Sequence, residues 1–383
     1  MKLNLVIDAS GIFYRSLYTV GNYGGKKGEK LLDSKASQGV FVRKLATDFS
    51  ALVRSIDDSC RVIVCLDSTS WRNSVEIDDG GYKSSRKEKK EEDSKKEDNP
   101  VNWNSFFELI NKFASVLSQK GYIVSQVPGA EGDDLLFFWS DKLNNMEENV
   151  ILVTGDRDLL QVVKKHDNGS WTVAIDPVLS RNKLSLTQDT LDFKMKESAS
   201  PDIFNPSSWT SSDDILEKLM KTYEVNVVDT SKLCTMKVVL GDNGDSVPSV
   251  VTWKDKKEPE KIRTMTESNY SKIVAVAPSI ENATWKDLQQ GKFVEEISST
   301  METLKKISVD RETVRKNLNR NCKLVILSTE TIPKQIQDSF KTIHASVPDT
   351  IAISSRDSML NGTEWWTSDK TAFVPKSYDL FGE

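Results

Sequence analysis

Four short apolar runs within the first 155 residues each lead into acidic residues, and this repetition limits the possible folds more than any other feature. The runs with the acids that follow them are "LNLVI" (3–7) with Asp8, "RVIVCL" (61–66) with Asp67, "YIVSQV" (122–127) with Glu131, Asp133 and Asp134, and "NVILVTG" (149–155) with Asp156. Nearly continuous Val, Ile and Leu runs of this length are typical of strands in a parallel sheet that is buried on both faces. We therefore expect an α/β fold with a mainly parallel, twisted sheet flanked by helices.

The patterns between these runs predict helices at roughly 37–56, 103–119 and 131–145. In an open α/β sheet the carboxyl ends of parallel strands meet at one edge, where ligands bind. The acids of all four runs are therefore expected to lie close together at that edge.

The stretch "LVTGDRDLLQ" (152–161) shows the choice between two roles for such acids, because it holds both Asp156 and Asp158. A single aspartate after a strand is often a helix cap or a turn residue. A whole set of neighbouring carboxylates, however, costs several kcal/mol unless something neutralises it. Hard divalent cations bind oxygen ligands, and two metals about 3.5–4 Å apart are the usual arrangement for phosphodiester cleavage. We expect both aspartates to serve metals, even where one of them also begins a helix.

A charged segment separates the second and third runs. Between Lys83 and Asp98 the chain has seven Lys or Arg and six Asp or Glu, and no residues that form a core. One interpretation is a solvated linker or exposed helix. The other is a flexible segment beside the acids that supplies cations to phosphates, while Tyr82 or Trp71 stacks on a base.

Composition excludes several classes of protein. The net charge of −5 gives no bulk sign of a nucleic-acid partner, so any basic surface must be local. The four cysteines have no CxxC spacing, and two histidines are too few for a histidine-rich metal site. Without a long apolar stretch, the chain is expected to be soluble, with no membrane association, and cytoplasmic (in the host cytoplasm if a phage encodes it).

Five motifs together resemble the 5′ nuclease/flap endonuclease superfamily, in particular its bacteriophage branch, the T-even type of RNase H. They are "VIDASGIFYRSLY", "LDSTSWRNSV…GGYKSSRK", "AEGDDLL", "TGDRDLLQ" and "LGDNGDSVPSV", in the order of that family. The matching motifs cover residues 1–255, and a looser similarity continues to about 345. The resemblance implies a PIN-like 5′ nuclease fold with a helical arch and a helical C-terminal region. It also implies a 5′→3′ exonuclease and flap endonuclease that removes RNA primers and 5′ flaps in DNA replication.

The resemblance assigns roles to individual residues. It implies two Mg²⁺ ions, with Mn²⁺ as a substitute. The first metal cluster matches Asp8, Asp67, Glu131, Asp133 or Asp134, and Asp156, and the second matches Asp158, Asp242 and Asp245. The catalytic residues would be Asp8, Asp67 and Asp156 with the arch cations Lys83 and Arg86. Nucleic-acid contacts would come from Arg15, Arg72, Tyr82, Lys83 and Arg86, and, after the hairpin-like motif, from Lys254, Lys256 and Lys257.

The same reasoning divides the chain into four parts. These are a nuclease core at 1–175 with the arch at about 80–102, an inserted surface segment at 176–230, a duplex-binding helical region at 231–345 and a tail at 346–383. The tail ends in "SYDLFGE", where Leu380 and Phe381 are expected either to be buried on their own domain or to bind a partner such as a sliding clamp. The expected substrates are DNA and RNA–DNA duplexes with a 5′ flap or 5′ end. A single-strand binding protein is a further candidate partner, and the chain is expected to be a monomer.

Two other functions remain open from the sequence. A PIN-type ribonuclease would use fewer acids and lack the arch cations, so Lys83, Asp242 and Asp245 argue against it. A non-catalytic nucleic-acid-binding protein that keeps the fold is opposed by the full acid set, because idle carboxylate clusters are costly.

Overall fold

The computed structural model describes two compact units of the chain. The described residues are 2–21, 30–57, 59–77, 81–88, 101–176, 183–197, 215–258, 260–350, 352–353 and 355–366. The first unit is formed by residues 1–69, 95–227 and 338–383, and the second by residues 70–94 and 228–337. Along the sequence, the chain therefore passes from the first unit to the second at residue 70, back at 95, to the second again at 228 and finally back to the first at 338.

The first unit is built on one mixed sheet. Its strands are β1 Leu3–Asp8, β2 Arg61–Cys65, β3 Ile123–Ser125, β4 Asn149–Val153, β5 Lys164–Lys165, β6 Trp171–Asp176, β7 Lys183–Leu186 and β8 Glu224–Val227. The order is β3-β2-β1-β4-β6-β7-β8, with β5 paired to β6. Neighbours from β3 to β6 run parallel, and only the β6–β7 and β5–β6 pairs are antiparallel. The four predicted strands are therefore confirmed, and their carboxyl ends meet at one edge, called here the carboxyl edge.

Helices cover this sheet and supply its core. They are α1 Ala9–Gly21, α2 Lys35–Ile56, α3 Trp103–Gln119, α4 Gly132–Asn145, α5 Gln188–Glu197 and α6 Ile215–Thr222, followed near the end of the chain by α12 Lys334–Ile343 and α13 Arg356–Leu360. The three predicted helices agree with α2, α3 and α4. Phe41, Phe49, Phe106 and Phe113 are fully buried among them, because their spacing places each aromatic ring on the helix face toward the sheet.

The predicted surface insertion at 176–230 is wrong for the part that the structure describes. Strands β7 and β8 extend the main sheet, and Leu184, Leu186, Leu216 and Leu219 belong to the same core as β1 and β2. Sequence reading missed these strands because each is only four residues long and the stretch between them is rich in Ser and Asp. The remainder of the predicted insertion, at 177–182 and 198–214, lies outside the described residues.

The second unit is mostly helical, as the pattern predicted. It contains α7 Thr230–Leu240, the hairpin β9 Thr252–Lys254 and β10 Ile262–Thr264, and the helices α8 Glu267–Val276, α9 Trp285–Gln289, α10 Val294–Lys305 and α11 Arg311–Val325. A separate core of buried apolar side chains, including Ile273, Ile297 and Leu318, holds it together. Residues 84–88 of the charged segment are helical and belong to this unit, while residues 89–100 lie outside the described part of the chain.

No helix in the described residues is long and apolar enough to cross a membrane.

Candidate active site

Asp8 and Asp67 end neighbouring parts of the sheet, and backbone and hydroxyl donors hold them there. Asp8 is the last residue of β1, and its Oδ1 accepts a hydrogen bond from the Ser10 backbone N at 3.1 Å. Asp67 follows β2, and its Oδ1 accepts from the Gly132 backbone N at 2.7 Å. A Cβ on Gly132 would lie 3.1 Å from the same oxygen, so glycine at this position permits the close approach. Ser10 Oγ donates to Asp67 Oδ2 and thereby joins the two strand ends.

The "AEGDD" acids divide between two roles at the start of α4. Glu131 is the N-cap, and Asp134 closes a capping box by accepting the Glu131 backbone N at 3.0 Å. Asp134 is completely buried, so it stabilises the helix start rather than facing a ligand. Asp133 is half-buried, and its negative charge acts on the Cys65 thiol together with those of Asp8 and Asp67. Asp133 is thus the more accessible of the two alternatives for the first metal cluster.

Asp156 caps a short helix, as the alternative interpretation anticipated. It precedes the 3-10 helix Arg157–Val162, and its Oδ1 accepts the Asp158 backbone N at 2.8 Å. Its own backbone N donates to Thr154 Oγ1 at 3.0 Å. Asp156 is exposed and Asp158 half-buried, so capping leaves the Asp156 carboxylate accessible. The helix that follows is a 3-10 segment of six residues.

The electrostatics show that three strands bring like charges together. The pKa of Asp8 is raised from 3.8 to about 6, first by burial and then by the nearby charge of Asp67, with a smaller contribution from Asp156. Hydrogen bonds from Gly11 and Thr154 oppose this rise. Burial also raises the pKa of Cys65, and Asp8, Asp67 and Asp133 add to that effect. Asp8, Asp67 and Asp156 are therefore close enough at the carboxyl edge for their charges to interact, whereas Asp134 caps α4 instead.

These carboxylates meet the chemical requirement for a hard divalent cation, since they offer oxygen donors and mutual repulsion that a cation would relieve. They do not meet the geometric requirement as they stand. Within the described part of the chain, no three His, Cys, Asp or Glu side chains are arranged so that they could hold a metal ion. Protein donors currently occupy several of the oxygens, as the Asp67 contacts show. The metal assignments therefore remain predictions.

Asp242 and Asp245 lie in the second unit, in a tight loop that we call the Gly-Asp loop (residues 241–247). Gly241 has φ +70°, and a Cβ there would lie 2.3 Å from the Val247 carbonyl oxygen. Asp242 Oδ1 accepts the backbone N atoms of Gly244 (2.8 Å) and Asp245 (3.2 Å). Lys237 Nζ lies 3.1 Å from Asp242 Oδ2. The assignment of this pair to a metal shared with Asp158 stays a prediction.

The start of the charged segment is bound to the same loop. Lys83 N donates to the Asp245 carbonyl at 2.8 Å, and Arg86 Nε donates to the Gly244 carbonyl at 3.0 Å. The Asp245 carboxylate has cations on both oxygens, Arg86 Nη2 at 2.7 Å from Oδ1 and Lys83 Nζ at 3.8 Å from Oδ2. Tyr82 is buried and donates to Oδ2 at 2.8 Å. The predicted phosphate-binding cations are thus paired with a predicted metal ligand.

Two of the predicted nucleic-acid contacts are inaccessible. Arg72 is 2% exposed, and its Nε donates to the Leu324 carbonyl at 3.0 Å, so it stabilises the second unit. Tyr82 is 5% exposed and cannot stack on a base in this conformation. Sequence reasoning erred here because a basic or aromatic residue in a polar stretch gives no sign of its burial.

The other predicted contacts have different environments. Lys254, Lys256 and Lys257 are exposed on the β9–β10 hairpin, where phosphates would have access. Arg15 is half-buried on α1; burial lowers its pKa, and the charges of Asp48 and Asp176 oppose that effect. The predicted partner-binding residues Leu380 and Phe381 lie outside the described residues.

Two residues at the carboxyl edge escaped the sequence analysis. Asp176 ends β6, which runs parallel to β4, so its carboxylate lies at the same edge as Asp156. The pattern that located the other acids also occurs here, because "WTVAI" (171–175) is an apolar run that precedes it. Tyr14 is 39% exposed on α1, and Asp67 is among the charges that raise its pKa, after burial. Tyr14 gave no sequence signal beyond its position six residues after Asp8.

A protein-family model matches the N-terminal part of the chain. Residues 3–191 match the family model described as the 5′-3′ exonuclease, N-terminal resolvase-like domain. This region contains Asp8, Asp67, the "AEGDD" acids and Asp156. Among curated protein sequences there is no significant match.

Solved structures of bacteriophage T5 proteins are also similar to the chain. A T5 protein co-crystallised with metal ions has 14% identity and a TM-score of 0.48, covering 89% of this chain and 96% of that one. The T5 flap endonuclease in a pseudo-enzyme-product complex with DNA and metal ions has 14% identity and a TM-score of 0.48, covering 89% and 97%. A T5 5′-exonuclease with bound zinc has 14% identity and a TM-score of 0.47, covering 89% and 98%. Because these overlaps are modest, the assignment rests on the family model. Residues 3–191 of the chain belong to the family of 5′-3′ exonuclease, N-terminal resolvase-like domains, whose members are 5′ nucleases and therefore phosphodiester hydrolases.

Proposed function

We propose that this chain is a structure-specific 5′→3′ exonuclease and flap endonuclease that requires two divalent cations. Its substrates are DNA and RNA–DNA duplexes with a 5′ flap or 5′ end, and its role is the removal of RNA primers and flaps in DNA replication, as in the T-even phage type of RNase H. Mg²⁺ is the proposed cation, and Mn²⁺ a substitute.

The observation that carries this proposal is the convergence of Asp8, Asp67 and Asp156 at the carboxyl edge. The rise in the pKa of Asp8 to about 6 has burial as its main cause, but two further carboxylates contribute to it. A binding protein without catalysis gains nothing from keeping three mutually repelling acids together. A cation-dependent hydrolase does, because bound cations would offset the repulsion.

The chain's own residues have separable tasks in this mechanism. Divalent cations, when bound, would supply an activated water and stabilise the leaving oxygen. Asp8 and Asp67 would hold them, with Ser10 fixing the orientation of Asp67. Asp156 would be a further ligand, oriented by its bond from the Asp158 backbone N. Tyr14, which is exposed and close enough to Asp67 to sense its charge, would stack on the base beside the scissile phosphate.

Lys83 and Arg86 would stabilise negative charge that develops on the phosphate. In the structure both are paired with Asp245, so they must exchange that carboxylate for the phosphate when substrate binds. Their exposed fractions of 26% and 61% leave room for such an exchange. The lysines of the β9–β10 hairpin would bind the duplex backbone without reading its sequence.

The decisive experiment is cleavage of a 5′-labelled flap duplex by the purified chain, first with Mg²⁺ and then with EDTA. We expect cleavage at the flap junction with Mg²⁺ and none with EDTA. A blunt duplex and a 3′ flap serve as substrate controls. Asp8→Asn should be inactive, and Asp141→Asn, which changes an aspartate on the outer part of α4, should match the wild type.

The same assay separates the alternatives. Cleavage of single-stranded RNA with no preference for a flap would identify a PIN-type ribonuclease instead. Tight flap binding without cleavage under any divalent cation would identify a binding protein that keeps the fold.

Partner binding is a separate proposal. The terminal Leu380 and Phe381 would fill an apolar pocket on a sliding clamp and raise the local concentration of the nuclease at flaps. Deleting residues 377–383 should leave cleavage of an isolated flap unchanged and abolish stimulation by the cognate clamp. Undiminished stimulation would contradict this proposal. A single-strand binding protein is the other candidate partner, and a monomer is the proposed state.

A further inference from the structure

A polar cavity lies beside Asp156, on the part of the sheet that the sequence analysis missed. It has a volume of about 410 Å³ and is lined by Gly155 and Asp156 at one side and by residues of β6, β7 and β8 at the other. This volume is within the usual range for small-molecule sites.

The strand register explains why this face is polar. Asp176 pairs with Lys183, and Lys183 with Glu224; in the next row on the same face, Ala174 pairs with Ser185, and Ser185 with Asn226. Because side chains alternate along a strand, both rows point to one face of the sheet. Leu184 and Ile175 point to the other face, into the core.

The floor of the cavity offers a hydrogen-bond donor and an acceptor side by side. Asn226 Nδ2 donates to Ser185 Oγ at 3.0 Å, and Ser185 is 5% exposed. Among the described residues, neither the Ser185 hydroxyl proton nor Asn226 Oδ1 makes a further hydrogen bond. Asn226 is half-buried and both residues line the cavity, so these groups are available to a ligand.

The walls are close to neutral, which limits the kind of ligand. Lys183 Nζ lies 4.0 Å from Glu224 Oε1. The negative charge of Asp176 acts favourably on Arg15, and Arg157 lines the rim. A free phosphate would meet three carboxylates here, those of Asp156, Asp176 and Glu224, against two cations among the described lining residues, Arg157 and Lys183. A neutral, planar group with adjacent donors and acceptors suits these walls better.

We propose that this cavity binds the base of one unpaired nucleotide of the substrate strand, with Ser185 and Asn226 hydrogen-bonding to its edge. The inference rests on the proposed function, because only a nuclease would bring such a strand to Asp156. Gly155 and Asp156 line the cavity and also follow β4, so the bound nucleotide would be close to the nucleotide whose phosphate is cleaved. Ser185 and Asn226 are thus specificity-determining residues rather than catalytic ones.

An abasic scan tests the proposal without relying on catalysis. Flap duplexes that carry one abasic nucleotide at successive flap and junction positions are titrated with the full chain in EDTA, and binding is followed by fluorescence anisotropy. For the wild type, we expect one position at which the missing base weakens binding by about 10-fold. Asn226→Ala should bind the intact flap about 10-fold more weakly and should no longer respond to that abasic position.

Controls keep the outcome interpretable. Asn145→Ala changes an exposed asparagine at the C-terminal end of α4. This variant should bind each abasic flap with the same affinity as the wild type. Thermal unfolding checks that Asn226→Ala is folded; if it is not, Asn226→Asp keeps the shape, replaces a donor by an acceptor and should change which base binds best. A wild type that cleaves flaps with Mg²⁺ but gives a flat abasic scan would overturn the cavity assignment alone. An Asn226→Ala variant that keeps the response would also overturn it, whereas absence of flap cleavage by the wild type would overturn the proposed function.

Discussion

The two acidic clusters of this protein differ in the groups that surround their carboxylates. At the carboxyl edge, the charges of Asp67 and Asp156 act on Asp8, and neutral donors such as Ser10 and Gly132 bind oxygens of Asp8 and Asp67. In the Gly-Asp loop, cations of the same unit accompany the carboxylates of Asp242 and Asp245. The first cluster therefore stores electrostatic repulsion, and the second does not.

This difference has a functional meaning within the proposed mechanism. A cluster that stores repulsion becomes more stable when a cation binds, because the cation relieves the repulsion between the carboxylates. A cluster that already has cations must give them up before it can bind a metal. For the Gly-Asp loop, the cations released would be Lys83 and Arg86, which are the ones that the proposed mechanism needs at the phosphate.

The largest expected effect is on catalysis at the carboxyl edge. Asp8→Asn and Asp156→Asn should each lower the single-turnover cleavage rate at saturating Mg²⁺ by roughly 10³-fold, since a lost metal contact costs several kcal/mol of transition-state stabilisation. Flap affinity, measured by anisotropy, should change by only a few fold. Retention of more than about a tenth of the wild-type rate would remove these residues from the mechanism.

The second effect is on stability: Asp8→Asn, which should lower activity, should raise the stability of the folded chain. Because the pKa of Asp8 is about 6 in the folded chain and 3.8 without its surroundings, the folded state binds the proton more tightly. Stability therefore falls as pH rises from about 4 to 6, and at pH 7 ionised Asp8 costs up to about 3 kcal/mol. In EDTA at pH 7, Asp8→Asn should raise the melting temperature, and at pH 4 this gain should be much smaller.

Adding Mg²⁺ sharpens that test. The wild type should gain melting temperature with Mg²⁺ while Asp8→Asn gains little, so that the two converge. A variant that is less stable than the wild type at pH 7 in EDTA would show that the carboxylate is not under repulsion.

The third effect is also on stability, and it separates the contribution of the backbone conformation of the Gly-Asp loop from that of its charges. Gly241→Ala should destabilise the chain by about 2–3 kcal/mol, because φ is +70° and the new Cβ would meet two carbonyl oxygens of the Val247–Pro248 backbone at 2.3 and 2.6 Å. Gly244→Ala is the matched control, since its Cβ would approach only side chains, the nearest at 3.1 Å. Equal losses in chemical denaturation for both variants would contradict this account.

The sequence predicted the carboxyl edge well because the physics that marks it is local. A buried parallel strand has to be apolar, and the polar residue that ends it is visible at once, as at Asp8 and Asp67. The same rule applied to "WTVAI" would have found Asp176. The helices α2, α3 and α4 were equally easy to predict from the sequence, because their apolar spacing extends over several turns.

Other features depend on contacts that are distant in sequence. Arg72 is buried because the Leu324 carbonyl, 252 residues away, accepts its Nε proton. The pairing of Arg86 with Asp245 joins segments 159 residues apart, and no local pattern predicts it. The sequence analysis also missed the cavity over β7 and β8, because those four-residue strands have only two apolar positions each.

The fourth effect tests whether the loop's cations act on the reaction. Arg86→Ala should lower the single-turnover rate by about 10–100-fold while flap affinity falls less, because its charge is needed most in the transition state. Lys87→Ala is a control from the next position on the same helical segment, and its Nζ donates to Asn73 Oδ1 at 3.0 Å. If Arg86→Ala weakens binding with an unchanged rate, Arg86 only grips the phosphate.

The smallest effect is expected from Asp245→Asn on stability. Arg86 is 61% exposed, and Asp245 Oδ1 accepts no hydrogen bond among the described residues, so the contact is ionic and poorly aligned. Such pairs contribute at most about 1 kcal/mol. Asparagine can keep the acceptor for Tyr82. The hydrogen bonds that Lys83 N and Arg86 Nε donate go to backbone carbonyls and do not involve the carboxylate. Asp245→Asn should therefore lose less than about 1 kcal/mol in urea unfolding, and the difference should shrink at about 1 M salt. In contrast to Asp8→Asn, it should gain nothing at pH 7 in EDTA. A loss above about 2 kcal/mol that persists in salt would mean that the Asp245 ion pairs, rather than the backbone contacts, hold the Gly-Asp loop and the start of the charged segment together.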